Sequence, residues 1–285
     1  MRTISQKELK EILEKHKKWL NGKGGERANL CDAYLQGFDL RDVDLREANL
    51  LRANLKFADL RGANLQLADL QLVNLRNVNL RGANLQSADL QEADLRGADL
   101  HGAILRKAYL RDTNLQRANL QDSCLSYALL RCANLHGVNL CNAELMHTNL
   151  QNSDLSNADL SYADLQYADL SEANLQDTKL LKTILYKANV EYITRQWLVI
   201  VDHIGSRKAK TLYFADIDTV RCGCWHSGGT GGTLNEFKAR INRVYSADSK
   251  DRFCQYHRIE YLSAIKMFES MREAYLKEAE KEKRQ

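Results

Sequence analysis

From Leu30 to Leu185 every fifth residue is leucine, 32 in unbroken succession, and Val190 closes the series. Two residues before each leucine stands a small side chain, usually alanine as at Ala28, Ala33, Ala48, Ala53, Ala58 and Ala63, sometimes Val43, Val73, Thr113 or Ser123. The residue between them is mostly Asn or Asp. A period of five matches neither the 3.6 of a helix nor the alternation of a half-buried strand. It fits a backbone that turns a corner every five residues. The small residue and the leucine, two apart, then point to one side as in a strand, while the intervening Asn or Asp and the two residues that follow point outward. The predicted interior is a leucine stack ringed by alanines. The chain contains no proline, as expected of one repeated geometry that cannot spare a backbone N–H.

The pattern Ala, Asp or Asn, Leu, then two variable residues, as in Ala63, Asn64, Leu65 or Ala158, Asp159, Leu160, resembles the pentapeptide-repeat family over residues 26–190. The resemblance implies a right-handed, four-sided β-helix with four pentapeptides per coil. About eight coils at ~4.8 Å each give a rod near 40 Å long, in which each coil bonds only to its neighbours. The expected fold class is mainly β: this solenoid over 26–190, an N-terminal capping helix and turn over 1–25, and a small α+β domain over 191–285. Departures from the pattern bear on packing. Phe38 replaces a small inward residue in the first coil, where it fills space under a cap. Ile104, Leu129, Cys124 and Ile184 stand in for Asn or Asp and place apolar groups outside, where Leu51, Leu67 and Leu72 join them.

A solenoid needs its open ends covered. Ser5 with Glu8 three residues on is a capping-box signature, followed by Leu9, Ile12, Leu13, His16, Trp19 and Leu20 at helical spacing, so residues 6–20 should form an amphipathic helix over the first coil. His16 reads as a packing residue on that face. Gly22, Gly24 and Gly25 form the turn into the repeats. From Glu191 the register vanishes. Trp197–Ile204 and Thr211–Val220 read as strands, Thr233 with Glu236 caps a helix to about Val244, and a longer helix over Phe253–Lys277 carries Ile259, Leu262, Ile265, Phe268, Met271 and Tyr275 on one stripe, with a fraying charged tail from Glu278.

Candidate chemistry is sparse. Cys222 and Cys224 share a strand face and Cys254 with His257 lies on the next helix, but cysteines one residue apart are not the spacing of a structural zinc site, so no metal is assigned. The glycines of Ser227–Thr233 precede a helix without the lysine that a phosphate loop requires. Asp216 and Asp218 lie on one face of a strand and Asp202 and His203 end another, with no nucleophile or cofactor motif to join. No catalytic residue and no cofactor is assigned, and the alternative of an enzyme in 191–285 would have to use Asp216, Asp218, Cys222, Cys224 or His226.

Seven scattered cysteines, no apolar run long enough to span a membrane, and no signal-peptide core lead to the expectation of a cytoplasmic protein with reduced thiols. Residues 26–190 carry 17 basic and 21 acidic side chains, so the basic excess lies at the ends. Family members that act on DNA gyrase are DNA mimics, and the resemblance implies that possibility here. Mimicry needs an unbroken acidic ladder at twenty-residue spacing. Here Asp39 and Asp59 are followed by Asn79, Asp99, Asn119, Asn139, Asp159 and Lys179. Arg41, Arg61, Arg81 and His101 stack on one face and Lys56, Arg76 and Arg96 on the next, a basic stripe that is the candidate binding site. The expected function is a non-enzymatic rigid rod that presents its outer faces and the C-terminal domain to a protein partner; nucleic acid is not expected because the basic excess is modest, nor a membrane, since no apolar run is long enough to span one. The long C-terminal helix packs within its own domain or pairs with a second copy as a homodimer.

Overall fold

The computed structural model describes residues 2–181, 183–185, 187–190, 193, 198–204, 209–214, 219–222, 232–245 and 251–282. It divides into two compact units: Met1–Thr183 with Ala188–Thr194, and Ile184–Lys187 with Arg195–Gln285.

In the first unit, parallel bridges join each outward residue to the one twenty positions on, from Asn29↔Asn49 through Asn119↔Asn139 to Asp169↔Asn189. Four pentapeptides therefore make one coil. The repeat leucines from Leu30 to Leu180 and nearly all the small residues are shut away from solvent. Residues 116–120 show where the backbone donors go. The Arg117 N–H donates to the His136 carbonyl (2.9 Å), Asn119 to Ala98 (2.9 Å), Leu120 to Asn139 (2.7 Å), and Ala118 back to Leu115 (2.9 Å), closing the turn. The fifth, Gln116, donates to the Asn114 side-chain oxygen at 3.1 Å. All five are used, which accounts for the absence of proline.

The Leu to Ala bond closes a type II turn, whose third residue needs positive φ. Asp112, Arg117, Asp122 and their counterparts in every coil adopt φ between 52° and 64°, and glycine takes this place only at Gly37, Gly62, Gly82, Gly97, Gly102 and Gly137. A corner every five residues also limits each face to three extended residues. The rod is consequently β-bonded along its length, yet among its described residues the one continuous strand is β2 (Ala33–Tyr34). Where serine or threonine replaces the inward alanine, its hydroxyl donates to a leucine carbonyl, as Thr113 does to Leu90 (2.9 Å) and Ser153 to Leu150 (2.7 Å), so the polar group is satisfied inside.

The N-terminus covers the first coil twice. β1 (Arg2–Thr3) pairs in parallel with β2 and closes part of the open edge, a contact absent from the sequence reading. The helix α1 (Gln6–Leu20) starts at Ser5, whose hydroxyl accepts the Glu8 N–H at 3.1 Å; the Glu8 carboxylate turns to Arg2 instead of completing a capping box. Ile4, Leu9 and His16 are buried beneath it, while Phe38 is half-buried. Gly25 has φ +86°, and a Cβ there would fall onto the Lys15 carbonyl oxygen. Only glycine lets the chain leave the helix so closely.

His16 does more than fill space. Elsewhere the small residue's N–H bonds to the leucine three residues back, but before Ala28 the repeat has not begun. The Ala28 N–H donates instead to His16 Nδ1 at 3.1 Å, and burial pushes the His16 pKa below its ordinary 6.5, against the opposing pull of Asp44, with Arg27 and Arg46 nearby. A protonated Nδ1 cannot accept this bond. Because the folded pKa lies below the unfolded one, His16 contributes its full stability above about pH 6.5 and loses it as pH falls from there through the folded pKa. The expected result is loss of amide-exchange protection at Ala28 across that window, with mid-rod amides unchanged. A His16→Gln variant should abolish the pH dependence; equal protection at pH 7.5 and pH 5 in the parent would refute this role.

In the second unit, β3 (Leu198–Ile204), β4 (Ala209–Phe214) and β5 (Thr219–Cys222) form an antiparallel meander. α2 (Leu234–Val244) begins at a complete Thr233–Glu236 capping box, as expected. Tyr213 and Val220 of the sheet pack with Phe237 and Ile241 of α2 and with Tyr261, Ala264, Ile265 and Phe268 of α3 (Arg252–Glu282). The Tyr213 and Phe268 rings stack at 5.0 Å. Three expectations need correcting. The single strand expected over Thr211–Val220 is two, β4 and β5, paired antiparallel from Thr211↔Cys222 to Phe214↔Thr219. Ile259 is 65% exposed and does not share the buried stripe, which runs through Tyr261, Ala264, Ile265 and Phe268. Residues 278–282 remain helical because Glu, Ala and Lys are strong helix formers.

Candidate functional site

The outer surface of the rod repeats one device. The outward Asn or Asp accepts, through its side-chain oxygen, the N–H of the residue two ahead, as Asn49 does from Leu51, Asn74 from Arg76 and Asn149 from Gln151. This is an Asx turn that locks each corner. Asn and Asp columns also bond along the rod: Asn119 donates to Asp99 at 3.0 Å, and Asn139 to Asn119 at 3.1 Å.

The basic stripe of the sequence reading is charge-compensated. Arg41 meets Asp39 and Arg61 meets Asp59, each at 2.6 Å, Arg96 meets Asp94 at 2.6 Å, Arg81 reaches Asp99 at 3.2 Å and Arg76 approaches Asp94 at 4.0 Å. Lys56 lies 4.7 Å from the centre of the Phe57 ring. Hydrogen bonds from Arg41 hold Asp39 down to about 2, and those from Arg61 hold Asp59 below its ordinary value. These pairs are exposed and add little stability, but they leave little net positive potential along Arg41, Arg61 and Arg81. They also set guanidinium groups on the carboxylates of the ladder that begins at Asp39 and Asp59. Lys179 at its far end pairs with Asp159 at 3.3 Å.

Inside the rod the Asx device fails as a group at Ile104, Tyr109, Cys124 and Leu129. Ile104 is bridged to Cys124 and Tyr109 to Leu129, so the four make a two-by-two block on adjacent faces of two successive coils. The corner between these faces is Arg106–Lys107 in one coil and Ser126–Tyr127 in the next. Ile104, Tyr109, Tyr127 and Leu129 are all exposed. Tyr127, His147 and Tyr167, twenty apart, stack in a column with ring centres 4.8 Å apart and planes within 7°, the coil spacing itself. Read singly, Ile104, Cys124 and Leu129 are scattered departures and Tyr109 passes unremarked. Written in rows of twenty, the block is visible in the sequence.

Elsewhere the candidate chemistry does not assemble. Among the described residues no group of His, Cys, Asp and Glu is placed to hold a metal. Cys254 is half-buried and His257 Nδ1 bonds to Glu260 at 2.8 Å. Asp216, Asp218, Cys224, His226 and the glycines from Gly228 to Gly231 lie outside the described residues, as do the side chains of Asp202, His203 and Cys222. No described helix is long and apolar enough to cross a membrane.

A family model for pentapeptide repeats matches the chain over residues 26–62, 58–97, 93–131, 123–161 and 153–191, in 8 copies. The chain belongs to the pentapeptide-repeat family. Among solved structures of pentapeptide-repeat proteins, it is similar to HetL of the cyanobacterium Nostoc sp. strain PCC 7120, involved in heterocyst differentiation regulation, at 30% identity over 67% of this chain and 92% of HetL, with TM-score 0.36. A trypsin-treated form of QnrB1, a plasmid-mediated fluoroquinolone resistance protein, aligns at 18% identity and TM-score 0.51, covering 60% of this chain and 86% of that one. A pentapeptide-repeat protein of the Arabidopsis thaliana thylakoid lumen aligns at 27% identity and TM-score 0.27, covering 44% and 69%. The QnrB1 likeness shows a shared fold. No curated protein matches the chain.

Proposed function

We propose that this pentapeptide-repeat protein is a non-enzymatic interaction scaffold whose activity resides in the outer faces of its rod. One observation carries the reading: the interior is filled by leucine and small side chains, with its hydroxyls satisfied internally, while the outer faces abandon a stabilising hydrogen bond at Ile104, Tyr109 and Leu129 to expose apolar groups. Apolar surface kept outside at the expense of local stability is the mark of a surface selected for contact. A DNA-mimic reading finds less support, since its acidic column is interrupted by Asn79, Asn119, Asn139 and Lys179 and its leading carboxylates are bound by arginine.

The test is site-specific photo-crosslinking of the full chain in its host, with a photoreactive phenylalanine placed in turn at Tyr109, Tyr127 and Tyr162 on the rod and at Ile259 and Met267 on α3. Discrete adducts from rod positions support the scaffold reading. Adducts confined to α3 would move the function to the second unit.

A further inference from the structure

We propose that the block formed by Ile104, Tyr109, Cys124 and Leu129 docks an acidic protein segment that carries bulky apolar anchors among Asp and Glu residues. This rests on the scaffold reading and names the class of partner.

The apolar part of the match follows from the two-by-two arrangement. Ile104 and Cys124 lie on one side of a corner and Tyr109 and Leu129 on the other, with the Tyr127 ring on the edge between them. Stacking with His147 and Tyr167 holds that ring in place before anything binds, so little conformational freedom remains to be lost at the contact. Aromatic anchors on a fixed frame are the usual centre of a protein contact.

The acidic part follows from the rim. Arg106 and Lys107 occupy the corner beside Ile104 and Tyr109, and Arg131 follows Leu129. All three are exposed, and none makes an ion pair among the described residues. Along the earlier stripe, by contrast, Arg41, Arg61 and Arg96 each have an aspartate at 2.6 Å. Nearby carboxylates are already engaged or lie one coil away: Asp112 binds Arg111 at 2.9 Å, Asp122 accepts from Asn142 at 3.0 Å, Asp89 sits one coil before the block, and Glu144 in the coil after it lies beside the Cys124 thiol. Uncompensated cations beside an apolar surface select an anionic partner, both in approach and in register.

A second copy of the chain fits poorly. Laid parallel about the Tyr127 corner, it would set Arg106 and Lys107 against themselves. Laid antiparallel about the Tyr127, His147, Tyr167 column, it would place Leu129 opposite Asp169 and Cys124 opposite Asp164.

The experiment selects ligands without presuming their sequence. A random 16-residue peptide library displayed on phage is panned against the full chain and against an Ile104→Asn, Tyr109→Asn, Leu129→Asn variant. The substitutions restore the Asx device, so the variant should melt no lower than the parent, which separates lost docking from lost folding. Expected is enrichment of peptides combining Leu, Ile, Phe or Trp with Asp or Glu. As synthetic probes in fluorescence anisotropy they should bind the Asn variant at least tenfold more weakly. They should also lose tenfold to an Arg106→Glu, Arg131→Glu variant and weaken with added salt. Enrichment of basic or wholly polar peptides, equal binding to the Asn variant, or no enrichment overturns the proposal. So does a dimer, seen by sedimentation, that the Asn substitutions abolish. If rod cross-links persist in the Asn variant while peptide selection fails, the scaffold reading stands and this site falls.

Discussion

Replacing Leu120 by alanine should cost about 3 to 5 kcal/mol of folding stability, toward the upper part of the range for buried leucines. Leu120 is wholly buried and lies in the interior column with Leu100 and Leu140, one coil to either side. What sets the size of the effect is whether the surroundings can close over the lost side chain. Here they are held by backbone bonds on both sides: Leu120 donates to Asn139 at 2.7 Å and Asn119 to Ala98 at 2.9 Å. A ladder pinned at the coil spacing cannot collapse inward without breaking bonds in three coils, so most of the cavity should remain. The outward Asn119→Ala change removes the acceptor that Gln121 uses at 3.3 Å together with the half-exposed bonds to Asp99 and from Asn139, and should cost about 1 to 2 kcal/mol. Urea unfolding of both variants decides the matter. A loss below ~1.5 kcal/mol for Leu120→Ala would mean that the rod relaxes around its own interior.

The same contrast between a repeated interior and a variable exterior explains what can be read from the sequence. Thirty-two leucines at a spacing of five dictate the corner, the inward pair and the coil of four repeats, because one geometry repeated many times leaves no competing register. The positive-φ residue of each turn is hidden by chemistry: Arg52, Phe57, Leu67 and Tyr127 occupy a conformation usually advertised by glycine. Their cost, about 1 kcal/mol each, is offset by the turn's place in the ladder and in some corners by bonds between coils, as from Arg52 to Asp32 at 2.7 Å.

The surface required reading columns side by side. Arg41, Arg61 and Arg81 form a basic stripe when their own column is followed alone. The aspartate two residues before Arg41, Arg61 and Arg96 belongs to the same pentapeptide, and in the folded rod the two side chains meet. His16 was legible only as a packing residue because its partner is a backbone N–H that lacks an acceptor for want of a repeat before Ala28. In the second unit the helical periodicity over α3 located the helix and most of its packed face, with Ile265 and Phe268 buried and Leu262, Met271 and Tyr275 against the core, but it took in the exposed Ile259 and passed over Tyr261 and Ala264.

A proline scan should expose the two kinds of backbone position in the rod. At Asn119, proline removes the N–H that Ala98 accepts at 2.9 Å, strands that carbonyl and presses its ring against the preceding coil; a loss of about 3 kcal/mol or more is expected. The residue immediately after each leucine is different. It is the second residue of a type II turn, where a φ near −65° is required and proline is favoured. What bars proline there is the Asx bond, such as the one from Arg96 to Asp94 at 3.3 Å. At Arg131 that bar is absent, because Leu129 has no side-chain oxygen to offer. Arg131→Pro should therefore leave stability unchanged or raise it by up to about 1 kcal/mol through the unfolded chain's reduced freedom, and Arg96→Pro should fall between the two. Thermal melts of the three variants order them directly. If Arg131→Pro destabilises as much as Asn119→Pro, the N–H of Arg131 is committed in a way the turn does not predict. The ordering expected here would instead show that the rod gives up a local bond where its surface turns apolar, and that proline is excluded from the rest of it by hydrogen bonding, with no steric bar at the turn.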